Sequence, residues 1–219
     1  MRILAMASQK GGVGKTTIGG HLAVEAEARG AGPVALVDTD PQGSLAAWWN
    51  VRSAETPVFA RADIGDLPRH LHALQNAGIK LVIIDTPPAI TAAIMAVVRV
   101  ADLVLIPSRP SPHDLRAVGA TVDLVEAASK PMVFVVNAAT ARTRIASDAA
   151  VALSQHGTVA PVVLHQRTDF ASAMIDGRTA GEIDPTSNSA KEIAELWNYV
   201  NARIGKSVAQ HSRKSGKNP

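Results

Sequence analysis

Lys10-Gly11-Gly12-Val13-Gly14-Lys15-Thr16-Thr17, entered from the apolar run Ile3 to Ala7, decides the reading of this 219-residue chain. A strand that ends in a glycine-rich turn and opens a helix aims several backbone N–H groups, and the positive end of the helix dipole, at one spot. Such a spot suits a polyphosphate. Gly11, Gly12 and Gly14 let the main chain approach a ligand without side-chain clash. In this arrangement Lys15 carries its ammonium to the β- and γ-phosphates, the Thr16 hydroxyl binds magnesium, and Thr17 continues the first helical turn. Residues 11 to 17, Val13 included, are therefore the candidate nucleotide cradle. The pattern G-x-x-x-x-G-K-[ST] is met only in part, because its first glycine slot falls on Gln9, with Lys10 next.

A second ammonium so near Lys15 costs repulsion unless more negative charge lies close than one site supplies. The run Lys10 to Thr16 matches K-G-G-x-G-K-[TS], and in it the chain resembles the ParA/MinD family of deviant Walker ATPases. The resemblance implies that Lys10 crosses a dimer interface to the partner's nucleotide, so that the active state is a homodimer with ATP sandwiched in it.

Two acidic segments follow. In Val37-Asp38-Thr39-Asp40-Pro41-Gln42-Gly43, two carboxylates one residue apart end an apolar run, where parallel sheets bind their ligands. One can serve magnesium or the lysine, and the other can orient the attacking water. The resemblance to the D-x-D-P-Q segment of ParA proteins implies that Asp40 positions water, which leaves Asp38 as a metal candidate. Leu81-Val82-Ile83-Ile84-Asp85 has the form of a Walker B strand, with Asp85 at its tip for the magnesium shell and Pro87-Pro88 fixing the backbone beyond. Lys10, Lys15 and Asp40 are thus the catalytic candidates, and Thr16, Asp38 and Asp85 the metal candidates, with ATP and Mg2+ as the expected substrate and cofactor.

Two further strand ends point to the base. Leu103 to Ile106 runs into Pro107-Ser108-Arg109-Pro110-Ser111-Pro112, and Val135-Val136 ends in Asn137, whose amide can both donate to and accept from adenine. The proline-spaced loop resembles that of the small ParF-like plasmid partition ATPases, where such prolines line the nucleotide site. By that resemblance Pro107 and Pro110 are nucleotide-binding candidates. The likeness extends to Ser111-Pro112-His113-Asp114-Leu115 and to the stretch from Gln166-Arg167 to Asp176-Gly177. The long N-terminal DNA-binding extension of larger ParA proteins is absent, so operator recognition is not expected.

Alternating apolar runs and helix signals indicate an α/β fold, a mostly parallel central sheet with helices on both faces, of the deviant Walker P-loop class. Strands are expected at Ile3–Ala7, Val34–Val37, Leu81–Ile84, Leu103–Ile106, Met132–Val136 and Val159–Leu164. Helices are expected near 16–29, 43–50, 66–77, 90–99, 113–128, 143–156 and 189–204. Residues 1–204 form one expected domain, and 205–219 a basic tail expected to be disordered. Residues 203 to 219 hold Arg203, Lys206, Arg213, Lys214 and Lys217 and no acid, so the formal charge of +3 resides there and the body is close to neutral.

With no cysteine the chain can build neither a disulfide framework nor a thiolate-held metal or iron–sulfur site. Its apolar runs stay well short of the roughly 18 residues that span a bilayer. The expected location is cytoplasmic and, by the resemblance, at the nucleoid. The family implies non-specific DNA binding by the ATP dimer and a ParB-like or cargo-adaptor partner that stimulates hydrolysis. Arg167, Arg178, Lys191, Arg203 and Lys206 are the DNA-binding candidates. A membrane-surface role of the MinD type is disfavoured, because the stripe Ile193, Leu196, Trp197, Val200, Ile204 is needed to cover the sheet and residues 205–219 have Val208 as their only large aliphatic residue. A small-molecule ATP-dependent enzyme of the same fold is the remaining alternative.

Overall fold

A computed structural model describes residues 1–215, with side chains described as far as residue 208. Seven strands, β1 (Arg2–Met6), β2 (Val34–Asp38), β3 (Val58–Arg61), β4 (Leu81–Asp85), β5 (Leu103–Ser108), β6 (Met132–Ala139) and β7 (Thr158–His165), form one sheet in the order β3-β2-β4-β1-β5-β6-β7. Every pairing is parallel. The six expected apolar runs all become strands. They are apolar at every position because helices cover both faces of the sheet. The seventh, β3, was not foreseen: it is a four-residue edge strand with Val58 41% exposed, so it needs no apolar run.

The helices are α1 (Lys15–Ala28), α2 (Ser44–Asn50), α3 (Leu67–Asn76), α4 (Thr91–Val100), α5 (Pro112–Ala127), α6 (Ile145–Ser154), α7 (Thr168–Ala173), α8 (Ala180–Ile183) and α9 (Asn188–Ser215). The helices α7 and α8 were not expected, since neither is long enough to show a helical period. Side chains alternate across the sheet. Leu4, Met6, Leu36 and Ile83 face a layer containing Ile18 and Leu22 of α1 and Leu196 and Trp197 of α9. Ala5, Val37, Val82 and Val104 face Leu71 of α3, Ile94 and Val97 of α4, Val118 of α5 and Leu153 of α6.

The stripe Ile193, Leu196, Trp197, Val200 and Ile204 is buried, as expected, in the first of these layers. The helix does not stop there. It runs on to Ser215, so the expected boundary at 204 falls inside α9. The rest of the expected tail, residues 216–219 and the side chains of Arg213 and Lys214, lies outside the described residues. No helix among the described residues is long and apolar enough to cross a membrane.

What matters for the site is the order β2-β4-β1. Asp38 pairs in register with Asp85, and Asp85 with Met6, so two acids and the entrance to the glycine loop end side by side. The helix α1 leaves that edge packed close to its neighbours. A Cβ at Gly20 would lie 3.3 Å from the Trp48 ring of α2, so a larger residue there would make the ring give by a few tenths of an ångström.

Candidate nucleotide site

The loop between β1 and α1 is held from several sides. Gln9 donates its N–H to Thr121 Oγ1 of α5 at 3.0 Å, and its carbonyl accepts the Ala89 N–H at 3.0 Å. Asn137, at the end of β6, donates its amide to the Val13 carbonyl at 2.7 Å. Gly14 begins α1 with φ of 96°, in the left-handed region, and a Cβ there would collide with the Asn137 amide. The Lys15 ammonium curls back into the loop, donating to the Ser8 carbonyl at 3.3 Å and the Lys10 carbonyl at 3.5 Å. Burial holds the Lys15 pKa below that of an ordinary lysine, against the attraction of Asp85 and Asp40. Lys10 itself is exposed.

Asp85 sits 2% exposed at the tip of β4 and accepts the Thr16 hydroxyl at 2.5 Å on Oδ2. Burial raises its pKa to about 7, opposed by the Thr16 hydroxyl and the Lys15 charge, with Asp38 and Asp40 raising it further. Its Oδ1 is buried without a hydrogen bond. A buried acceptor left in that state costs about 1–3 kcal/mol. A hydroxyl and an orphaned carboxylate oxygen are hard oxygen donors, so these two residues fit a magnesium ion bound with a triphosphate.

Asp38 is placed differently from the expectation of a metal residue. Fully buried, it accepts the Asp40 N–H on Oδ1 at 2.9 Å and the Ala46 N–H on Oδ2 at 3.0 Å. Burial raises its pKa, and those two N–H groups and the Arg61 charge pull it back. Each oxygen thus accepts one backbone N–H of the turn that carries Asp40, which keeps a second lone pair on each, and Arg61 adds a hydrogen bond to the Pro41 carbonyl at 3.0 Å. Asp40 stands at the edge of the cleft and accepts the Gln42 N–H at 3.0 Å.

Two clefts open along the carboxyl edge of the sheet. The larger, about 780 Å³, is bordered by Gly11, Gly12, Lys15, Thr16, Asp40, Thr86 and Pro88 and walled on the far side by Trp48, Val51, Met174 and Ile175. The smaller, about 240 Å³, is bordered by Asn137, Ala138, Leu164, Gln166, Phe170 and Ile193. Asn137 therefore does border the expected base pocket, but its NH2 is turned onto the loop. One of its two N–H donors is thereby engaged, and the second N–H and the carbonyl oxygen are not engaged by that bond. Pro107 and Pro110 border neither cleft: Pro107 lies inside β5 opposite Val135, and both rings are buried in packing. The residue between them that does reach the clefts is Arg109.

The wall at Met174 and Ile175, just after α7, lies in the stretch included in the resemblance, but no residue there was expected at the site. Three contacts dock that segment: Trp48 Nε1 donates to the Arg178 carbonyl at 3.2 Å, Arg52 to the Gly177 carbonyl at 2.7 Å, and His21 Nε2 accepts the Ala180 N–H at 3.1 Å. Ile175, 78% exposed, is the most open large apolar side chain described.

The basic candidates do not form one group. Arg167 pairs with Glu192 at 2.7 Å beside the smaller cleft, with its Nε buried and unbonded, which takes it out of an open basic surface. Arg178 pairs with Asp176 at 2.6 Å. Lys191, Arg203 and Lys206 remain exposed on α9, Arg203 lying 5.4 Å over the Tyr199 ring.

Residues 4–180 match the CobQ/CobB/MinD/ParA nucleotide binding domain. The chain belongs to the ParA/MinD family. It is an ATPase of that family, and two proteins named "Maintenance of carboxysome distribution protein A" are similar to it. The one from Halothiobacillus neapolitanus is 31% identical over 208 residues, 90% of this chain and 95% of the relative. The one from Gloeobacter kilaueensis is 44% identical over 123 residues, a match that spans 55% of either chain. Among solved structures, the septum site-determining protein MinD from Pyrococcus horikoshii, complexed with Mg-ADP, superposes with a TM-score of 0.77. It shares 18% identity over 94% of this chain and 98% of that one, a likeness of fold.

Proposed function

We propose that this ATPase works as a nucleotide-switched dimer that positions an intracellular cargo over DNA. The observation that carries the reading is the split between two lysines of one loop. Lys15 is turned into the cradle, whereas Lys10 projects an exposed side chain from the same loop. A cation at the mouth of a phosphate site that Lys15 already serves is placed for the nucleotide of a second copy. The sequence likeness to carboxysome distribution proteins supports cargo positioning as the use of that switch.

In this reading Gly11 to Thr17 cradle the phosphates, Lys15 neutralises the charge that develops on transfer, and the partner's Lys10 completes the neutralisation. Asp40, held by Asp38, orients the attacking water. Thr16 and Asp85 hold the magnesium, which supplies charge neutralisation at the phosphates when bound. Hydrolysis rests on positioning and electrostatics, so a monomer turns over slowly and a partner protein accelerates it by stabilising the dimer. For DNA, the exposed Lys191, Arg203 and Lys206 of α9 are the candidates, with Arg167 withdrawn by Glu192.

The test is binding to random-sequence duplex DNA with ATP, with ADP and without nucleotide, at low and moderate salt, beside Lys15→Gln. Retention only with ATP, weakened by salt and abolished in the variant, is the expected outcome. Hydrolysis without DNA retention in any state would remove the positioning role and point to a membrane surface or a small substrate.

A further inference from the structure

Arg109 has no role in anything described so far, and its place in the fold is unusual. Among the described residues four border both clefts: Gly14, Thr17, Arg109 and Ala171. They form the neck between the end that holds Lys15 and Thr16 and the end that holds Asn137. A nucleotide lying across the site, with its terminal phosphates on Lys15 and its base in the smaller cleft, must pass its first phosphate and ribose through that neck. This step rests on the nucleotide reading given above.

Of the four neck residues only Arg109 is charged. Its main chain is pinned: Pro107 and Pro110 flank it, and its carbonyl accepts the Ser111 N–H at 2.8 Å and the Ser108 hydroxyl at 3.3 Å. Among the described residues no ion pair engages its guanidinium, whereas Arg52, Arg167 and Arg178 are each held by a carboxylate. The result is a planar fork of N–H donors, without an ion pair among the described residues, carried by a rigid loop on a residue that borders the neck. That shape suits a pair of phosphate oxygens better than a point charge does.

We propose that Arg109 is a nucleotide-binding residue that grips the first phosphate and the adjoining ribose, and so fixes the nucleotide at the neck independently of the terminal phosphate. Lys10, by contrast, is assigned above to the charge that develops on phosphoryl transfer in the partner's nucleotide. A contact at the first phosphate is common to ATP and ADP.

The experiment is equilibrium dialysis of MgATP and MgADP against the wild-type chain, Arg109→Ala, Lys15→Gln and Arg116→Ala. The last removes the same charge from an exposed position on α5. Loss of a charge-assisted contact weakens binding about tenfold. The expectation is that Arg109→Ala loses this factor equally for MgATP and MgADP while Arg116→Ala matches wild type. Equal affinity of Arg109→Ala and wild type, a loss confined to MgATP, or a matching loss in Arg116→Ala would each overturn the assignment. If Lys15→Gln alone loses binding, Arg109 fails and the nucleotide reading stands. If the wild-type chain retains neither nucleotide, both fall.

Discussion

Replacing His21 with glutamine should remove a specific acid sensitivity from the fold. The ring lies 2% exposed in α1, its Nδ1 bonded to the Thr17 carbonyl at 2.8 Å and its Nε2 accepting the Ala180 N–H at 3.1 Å. Phe170 abuts it edge-on at 5.2 Å, and Glu182 is the nearby acid. Accepting from Ala180 requires an unprotonated Nε2, so the ring is neutral in the fold. Burial lowers its pKa to about 4 from 6.5, over the opposing pull of the Thr17 carbonyl and Glu182.

The sign follows from linkage. The folded pKa is depressed, so as pH falls the unfolded chain takes up the proton first. The stabilisation is whole above about pH 6.5 and drains away as pH falls towards 4. The full difference is about 3 kcal/mol, and at about pH 5, where the folded ring is still mostly neutral, about 2 kcal/mol is already lost relative to about pH 8.

Asp85 acts in the opposite sense. Its pKa, raised to about 7 from 3.8, lets the folded state bind a proton that the unfolded state releases, so acidification between those values stabilises the fold. Because both effects operate in the wild type, its pH profile alone is uninformative. The readout is a double difference: urea unfolding of wild type and His21→Gln at about pH 8 and about pH 5. The wild type should lose about 2 kcal/mol more than the variant across that interval. Equal losses in the two proteins would refute the account of a buried neutral ring, whatever their absolute stabilities.

Three other perturbations test the site from different sides. Gly14→Ala places a Cβ at φ of 96° and against the Asn137 amide, so MgATP binding by calorimetry should disappear, with about 1–2 kcal/mol of stability lost to the left-handed backbone. Thr16→Ala removes the hydroxyl from Asp85. ATP affinity should then lose its dependence on Mg2+, and titration with and without the metal should show near-equal binding. Arg52→Ala strands Glu182 and frees the Thr56 and Gly177 carbonyls. Since the arginine side chain is 3% exposed but its partner 30%, the cost in urea should be about 2 kcal/mol, below that of a wholly buried pair.

The glycine loop, the two acid-tipped strands and the parallel α/β class were legible in the chain because each is a local pattern. A buried parallel strand must be apolar throughout, a phosphate loop needs glycines at fixed spacing, and the paired register of Asp38, Asp85 and Met6 follows once those strands are neighbours. What the chain did not disclose depends on partners far away in sequence. That Asp38 also fixes the turn carrying Asp40, through the Asp40 and Ala46 N–H groups, had no signal in the spacing. That the Asn137 amide also holds the Val13 carbonyl, 124 positions earlier, could not be read from the chain. Arg167 counted as a surface cation until Glu192 of α9 reached it. The four-residue β3 and the short α7 and α8 carry no period to read, and they exist because the sheet edge and His21, Trp48 and Arg52 hold them. Residue type and spacing thus determined which groups can bind a nucleoside triphosphate. Only tertiary packing decided how those groups are held before a ligand arrives, because their hydrogen-bond partners lie far away in sequence.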